Sequence, residues 1–319
     1  MNNGENSVYE LIGKDYDYII TNDKNNLSVK IVIPTYCQAK CPFCFNYLTE
    51  DTQRHDYIMF LDNLDKSLKL ITNNIKDRGI TLNITGNEPT FNIFLLMKTM
   101  NIIKLYRDKV SRIILSTNGF RIYDSIDYIN EVVDIVNISL HHYDYHERKK
   151  IFGTSTIPND EDIKKIVNTL RENNISSTAV SVLYKDIGNF KDFYNHFTTW
   201  AKDLGFENVR IRSNYCSDDA FFDNYLNIDF PSQDIITSNG LTTKTITDNK
   251  TGFEAKLLKG VSDLTEYVIG AELVIDDDGK CYIDYNKRYH VDDNNIRYFN
   301  NLYVLNEKET TLKRKLTLK

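Results

Sequence analysis

The chain has 319 residues, 41% of them hydrophobic and 26% charged, with a formal net charge of −6. That composition belongs to a folded protein of one large or two small domains with a sizeable core, and 21 Tyr and 16 Phe exclude a disordered chain. No basic stripe precedes the short tail Lys313-Arg314-Lys315, which argues against nucleic acid as a partner, and no apolar run is long enough to span a bilayer. The first residues, Met1 to Asn6, are polar and do not read as a signal peptide, so a cytoplasmic location is expected. Five cysteines, an odd number with three crowded together, suit metal ligation in a reducing compartment better than a disulfide framework.

In chain order, residues 27–34 read as an apolar strand carrying Val29, Ile31, Val32 and Ile33. Ile58, Met59, Leu61, Leu64, Leu68, Leu70 and Ile71 recur at helical spacing and predict a helix over 56–76, with Gly79 placed to close it. A short apolar strand follows at 80–84. The order then repeats: helix 90–107 and strand 111–117, helix 124–131 and strand 133–140, helix 160–173 and strand 176–183, helix 189–203 and strand 208–213. Strands alternating with helices predict an α/β fold with a parallel sheet covered by helices. Right-handed crossovers leave two architectures open, a doubly wound sheet and a barrel, and both bind ligands at the carboxyl ends of the strands.

Beyond residue 213 the rhythm stops. One hairpin signal stands out, Leu273-Val274-Ile275, then Asp276-Asp277-Asp278-Gly279, then Cys281-Tyr282-Ile283. The rest of 214–319 reads as polar and irregular, an α+β extension packed over the open edge of the sheet. Three parts are therefore expected: an N-terminal extension (1–26), an α/β core (27–213) and a C-terminal capping or substrate region (214–319).

Directly after the first strand the chain reads Pro34-Thr35-Tyr36-Cys37-Gln38-Ala39-Lys40-Cys41-Pro42-Phe43-Cys44. Thiolates this close in sequence converge on one centre if the loop wraps around it. Iron–sulfur clusters are held by Cys thiolates, and three ligands leave one iron of a four-iron cluster open to an external ligand. The alternative is a zinc-stabilised binding protein without enzyme activity, its site completed by Cys216, Cys281 or a His. Spacing favours iron–sulfur, because structural zinc wants four ligands in paired knuckles and no second pair exists here.

Other strand ends carry polar groups. Thr85-Gly86-Asn87-Glu88-Pro89 and Ser116-Thr117-Asn118-Gly119 are each also ordinary strand-end turns when taken alone. His141 and His142 follow the fourth strand, and alternation is expected to turn one towards the cavity. The sixth strand is read as splitting Arg210 and Arg212 between its faces, so that one meets an acidic substrate group.

The cysteine segment resembles the radical S-adenosylmethionine (radical SAM) superfamily, whose hallmark is Cys-x3-Cys-x2-Cys with an aromatic residue before the last Cys, here Cys37, Cys41, Phe43 and Cys44. The resemblance covers residues 30–213 and implies a partial (β/α)6 barrel. It also implies a [4Fe–4S] cluster on Cys37, Cys41 and Cys44, and S-adenosylmethionine chelated to the open iron. Reductive cleavage of S-adenosylmethionine to a 5′-deoxyadenosyl radical follows, with a flavodoxin- or ferredoxin-type electron donor. On the same resemblance, Gly86, Asn87 and Glu88 stand where the family binds the S-adenosylmethionine amino group. Asn87 replaces a Gly there, with a tolerance for left-handed backbone. Thr117 and Asn118 stand near the methionine part, Ser139 at the ribose or carboxylate, and Arg148 at the carboxylate. Peptide-modifying members often carry an auxiliary-cluster (SPASM or twitch-like) domain that opens with a hairpin like 272–284. Only Cys216 and Cys281 remain to serve it, so a cluster-free remnant is expected. The expected substrate is a small polar metabolite such as a nucleoside, sugar or amino-acid derivative, with epimerisation or crosslinking of a ribosomally made peptide as the alternative. His141 and Cys216 are the candidate groups acting on it.

Overall fold

A computed structural model of the chain describes residues 18–20, 27–44, 56–76, 78–183, 189–213, 233–238, 241–247, 253–259, 267–269, 272–282, 290–293 and 296. After a short strand β1 (Tyr18–Ile20), the core runs β2 (Leu27–Ile33), α1 (Tyr57–Asn74), β3 (Ile80–Gly86), α2 (Ile93–Lys104), β4 (Arg112–Thr117), α3 (Ile122–Ile129) and β5 (Ile135–Ser139). It continues through α4 (Tyr145–Phe152), α5 (Asp160–Glu172), β6 (Ser176–Leu183), α6 (Phe190–Asp203) and β7 (Asn208–Ser213). The strands β2 to β7 pair in parallel and in sequence order.

That order decides between the two architectures the sequence leaves open. A doubly wound sheet reverses its strand order at a switch point. Here the order never reverses, so right-handed crossovers put every helix on one side. Burial agrees. Leu27, Val29, Ile31 and Ile33 of β2 are buried against helices, while Ser28, Lys30 and Val32 between them are only half-buried. β3 alternates in the same way. One face carries the core and the other lines a lumen, as in a partial barrel. Each aliphatic side chain taken fully from water on the core face contributes about 1.5–3 kcal/mol.

The helices start where the sequence supplies side-chain caps. Asp56, Asn92, Asp144 and Asn189 each accept backbone N–H bonds at a helix start, and Asn159 forms a reciprocal capping box with Asp162. Two differences from expectation lie here. α2 begins at Ile93 because a 3-10 turn over Pro89–Phe91, capped by Glu88, comes first. α4 is a helix the apolar pattern missed, since Tyr145–Phe152 is short and mostly polar outside its last turn.

The C-terminal region is not irregular. β10 (Glu254–Lys259) lies parallel to β7, and β9 (Leu241–Thr247) and β8 (Gln233–Ser238) follow antiparallel. At the other edge β12 (Glu272–Ile275) pairs parallel with β2 and turns into β13 (Cys281–Tyr282). The extension therefore lengthens the sheet at both edges, giving eleven strands among the described residues. The polar strand β8 and the Thr-rich strand β9 escaped an apolar-run reading, although Thr is a good strand former. β11 (Tyr267–Ile269) pairs parallel with β1 in a separate two-stranded sheet. Arg210 and Arg212, expected on opposite faces, share one, as residues two apart on a strand must. Among the described residues no helix is long and apolar enough to cross a membrane.

The expected hairpin is real, and its turn is seated on α1. Asn63 Nδ2 donates to the Asp278 carbonyl at 2.9 Å and Ser67 Oγ to the Gly279 carbonyl at 2.8 Å. Gly279 has φ +75, and a Cβ there would run into the Phe60 carbonyl oxygen. Gly279→Ala is expected to destabilise the fold by more than about 1 kcal/mol in urea unfolding, and Ser67→Ala by about 1 kcal/mol. An unchanged midpoint for Gly279→Ala would contradict this seating.

Candidate active site

The cysteine loop leaves the carboxyl end of β2 and lies over the last turn of α4. The Lys40 N–H donates to the Phe152 carbonyl at 2.7 Å. Ala39, Cys41, Phe152 and Ile157 form a small apolar cluster against which Cys37, Phe43, Cys44 and Tyr145 pack. Cys37, Cys41 and Cys44 are free thiols near enough for their charges to interact. Burial first of all raises the Cys37 thiol to about 11, helped by Glu88 and Cys44 and opposed by the Ala39 N–H and Asn118. Burial, then Cys44 and Cys37, raises Cys41 to about 12. Without a cation Cys37 and Cys41 are therefore neutral thiols, and a bound metal centre reverses that preference and releases their protons.

The donor set fits an iron–sulfur cluster. Cys37 Sγ receives the Ala39 N–H at 3.4 Å and Asn118 Nδ2 at 3.5 Å. Such N–H donors stabilise anionic sulfur. Among the described residues no group of three or more His, Cys, Asp and Glu side chains could hold a single metal ion. A single zinc needs its sulfurs about 2.3 Å from one point, whereas a four-iron cluster takes each ligand at a separate corner. Cys281 is buried in the main core instead, where burial raises its thiol pKa, so it is not the fourth ligand that a zinc reading asks for. Cys216 lies outside the described residues.

Several expected cofactor contacts have other partners. Glu88 is 1% exposed, and its carboxylate accepts from Thr90 N–H (3.0 Å), Thr90 Oγ1 (2.6 Å), Thr117 Oγ1 (2.6 Å) and Asn118 N–H (2.7 Å). Four donors fill a carboxylate. Glu88, expected to receive the cofactor's ammonium, uses its oxygens to join the ends of β3 and β4. Burial raises its pKa, and the four hydrogen bonds work against that. Thr117 is buried in the same network. Asn118 turns to the cysteine loop, receiving Gln38 Nε2 at 3.1 Å besides reaching Cys37.

Gly86 and Asn87 reverse the expected division of labour. The left-handed backbone belongs to Gly86, with φ +135, where a Cβ would stand 2.5 Å from the Ile33 carbonyl oxygen. Asn87 is not among the positive-φ residues; its Nδ2 donates to the Thr35 carbonyl at 2.7 Å and ties the turn to the cysteine loop. Arg148, expected at the cofactor's carboxylate, is 0% exposed, donates to the His142 and Tyr143 carbonyls and to Asp160, and lies over the Trp200 ring at 4.9 Å. It anchors α4, and through α4 the cysteine loop.

His141, expected to act on the substrate, lies outside the strand pattern. β5 ends before it, and its φ of +65 removes it from strand alternation. Its ring lies between Phe43 (4.9 Å) and Phe152 (5.0 Å), and Nδ1 accepts the Val182 N–H at 3.2 Å. Burial, then Arg212, pushes its pKa down to about 3. It stays neutral and packs the underside of the loop. His142 stacks on Tyr143 at 4.4 Å. Ser139 is half-buried on the lumen face and makes no side-chain hydrogen bond among the described residues. Two residues earlier, and so on the same face, Asn137 was missed by the sequence reading. Its Oδ1 is buried without a hydrogen-bond partner among the described residues, and strand alternation from Ser139 was the signal that could have found it.

The sequence pattern described as the radical SAM superfamily matches residues 31–195. A protein of Methanocaldococcus jannaschii named as a candidate glycyl-radical enzyme activating enzyme is 35% identical over 132 residues, 41% of this chain and 46% of that protein. The chain thus spans less than half of that relative's length. The structure of anSMEcpe with bound AdoMet and the Cp18Cys peptide is 15% identical, with a TM-score of 0.51 over 89% of this chain and 85% of that one. At that identity the likeness concerns the fold. Streptococcus suis SuiB bound to S-adenosylmethionine has a TM-score of 0.47 at 16% identity, over 61% of this chain and 42% of that one.

The buried neutral His141 gives a pH dependence with a definite sign. Its folded pKa is below its unfolded value of 6.5, so only the unfolded chain gains a proton as pH falls from about 6.5 towards 3. This one residue is expected to lower stability on acidification by at most about 1.4 kcal/mol per pH unit. Urea unfolding at pH 7, 6 and 5 should show a shallower loss in His141→Gln than in the parent chain. Equal slopes would mean that His141 is not buried neutral.

Proposed function

Because this chain belongs to the radical SAM superfamily, we propose that it is an enzyme that takes a hydrogen atom from a small polar metabolite. Its catalytic core is the parallel barrel at 27–213. The observation that carries the reading is the loop of three free thiols at the carboxyl end of β2, with two N–H donors on one sulfur. Cys37, Cys41 and Cys44 would hold the [4Fe–4S] cluster, which when bound supplies the electron that cleaves S-adenosylmethionine to methionine and a 5′-deoxyadenosyl radical.

The chain's own residues divide the remaining work. Phe43, Phe152 and the neutral His141 keep water from beneath the loop. Gly86 lets the β3 turn approach β2, and Asn87 fixes that turn to the loop. Ser139 and the unpartnered Asn137 Oδ1 offer hydrogen bonds to a ligand in the lumen. Glu88 and Thr117 hold the strand ends that carry these groups. Polar lumen residues favour a small polar substrate. The relative named for activating a glycyl-radical enzyme makes a protein glycine the second hydrogen donor to try.

Anaerobic reconstitution followed by S-adenosylmethionine and dithionite is expected to yield 5′-deoxyadenosine from the parent chain and only background from Cys41→Ala. A fully loaded protein that does not bind S-adenosylmethionine would overturn the reading, as would a colourless zinc protein. Asn118→Ala removes an N–H donor from Cys37 Sγ, and such donors favour the reduced, more negative cluster. Its midpoint potential in an EPR-monitored titration is expected to move to a more negative value, and an unchanged potential would show that Asn118 does not act on the sulfur.

A further inference from the structure

Four neutral polar side chains stand at one level of the lumen, on neighbouring strands. The register sets Asn137 of β5 opposite Ser116 of β4 on one side and Thr178 of β6 on the other. Thr85 of β3 comes one position after Ile84, whose partner is Leu115, and so stands beside Ser116. Ile84, Leu115, Val136, Ile138 and Ala179 are buried in the core on the helix side, which turns Thr85, Ser116, Asn137 and Thr178 to the lumen. Three strand spacings make this a belt about 14 Å long. It lies two residues of β5, about 7 Å, below Ser139 at the strand's carboxyl end.

None of the four makes a side-chain hydrogen bond among the described residues. Asn137 is 8% exposed and its Oδ1 is buried without a partner, while Thr178 is 2% exposed. Lower on the same face the polar groups do pair, Asn83 Nδ2 donating to Ser28 Oγ at 2.9 Å. A buried acceptor left without a donor weakens a fold, so an orphan kept beside three idle hydroxyls points to a ligand. The belt itself is uncharged. Lys30 and Arg112 lie at lower levels of the lumen face, and Arg210 and Arg212 at higher ones on β7. Hydroxyl and carboxamide groups both donate and accept, as the hydroxyls of a sugar do. A carboxylate only accepts and an ammonium only donates, so either leaves part of the belt unused. The last torsion of an Asn side chain is broad, which lets the Asn137 carboxamide present either end.

We propose that Thr85, Ser116, Asn137 and Thr178 form the substrate-reading floor of the lumen, and that this floor takes a neutral polyhydroxylated group, a sugar ring either free or carried by a nucleoside. Asn137 is the residue that determines specificity, because its buried carboxamide is satisfied only when a hydroxyl reaches it. This deepens the function proposed above and rests on it for the position of the cofactor, at the carboxyl ends of the strands. The belt holds the sugar's hydroxyls below that position, and a carbon nearer the mouth faces the cofactor. An apolar molecule leaves the Asn137 carboxamide as unpartnered as the empty lumen does.

The test joins stability to binding. Urea unfolding of the ligand-free chain is expected to give the same midpoint, or a higher one, in Asn137→Leu and Thr178→Val, because neither change removes a hydrogen bond. A lower midpoint in both would make the belt structural and overturn the proposal. Calorimetric titration of the full chain then uses D-glucose and, separately, uridine. Each is repeated on the reconstituted, unreduced protein with saturating S-adenosylmethionine. Saturable binding of one is expected, and whichever binds tighter distinguishes a free sugar from a nucleoside. Asn137→Leu should weaken it at least about threefold, and Thr178→Val by a similar factor, as loss of one neutral hydrogen bond predicts. Asp127→Asn on the outer surface should bind as the parent chain does, and cyclohexanol, with one hydroxyl, should bind more weakly than either probe. Far-UV circular dichroism checks folding, and Thr178→Val, which keeps the side-chain shape, carries the test if the leucine variant does not fold. No saturable binding of glucose or uridine would overturn the proposal, as would cyclohexanol binding as tightly or an equal loss in Asp127→Asn. Displacement of the probe by S-adenosylmethionine would overturn it too, because it would assign the belt to the cofactor's own ribose. Unfolding and sugar binding need no cluster, so their failure leaves the 5′-deoxyadenosine result standing, and failure of that assay leaves theirs standing.

Discussion

Glu88 sits buried between the ends of β3 and β4, and four donors from two loops converge on its carboxylate. Its backbone carbonyl takes Thr35 Oγ1 from the start of the cysteine loop at 2.8 Å. One residue thus joins the mouths of β2, β3 and β4. A carboxylate in such a place costs several kcal/mol to desolvate, and it is tolerated only because its hydrogen bonds are complete. Removing any one donor leaves part of that cost uncompensated. The arrangement is therefore close to all-or-none, which is the property a site of fixed geometry requires.

From Glu88 the constraint spreads by short steps. Asn118 gives its N–H to Glu88 and its side-chain amide to Cys37, so the β4 end fixes one cysteine sulfur. Asn87 gives its amide to Thr35, so the β3 end fixes the loop's first residues. On the far side the loop rests on α4, whose position depends on Arg148 between Asp160, Trp200 and two carbonyls. Among the described residues the buried Arg148 Nε has no hydrogen-bond partner, which makes this second anchor the less fully satisfied of the two. A cysteine loop held from both sides loses little further entropy when a metal centre binds.

Much of this frame was legible in the sequence. Alternating apolar runs gave the six core strands and most helices, because each strand buries one face and each helix one stripe. The cysteine spacing pointed to the metal chemistry. Composition failed where polar strands were concerned: five of the seven residues of Leu241–Thr247 are threonine or lysine, and pairing with β10 and β8 makes it a strand. The partners of Glu88, Arg148 and His141 were not legible for a different reason. A buried polar group takes the nearest donors and acceptors the fold offers, and tertiary neighbours such as Thr90, Asp160 and Phe152 cannot be read from spacing. Asn87 shows the same thing from the other side. Its side chain compensates for a lost glycine by a hydrogen bond, and the left-handed turn passes to Gly86.

The electrostatics of the lumen follow from what cannot titrate. A histidine near the mouth might have supplied a positive charge that varies with pH, yet burial and Arg212 keep His141 neutral. The positive field comes from arginines, which hold their protons throughout the range in which the protein is folded. A cluster held by thiolates and a cofactor carrying a carboxylate both add negative charge at the carboxyl ends of the strands, while Arg210 and Arg212 stand on the lumen face of β7, opposite the buried Val209 and Ile211.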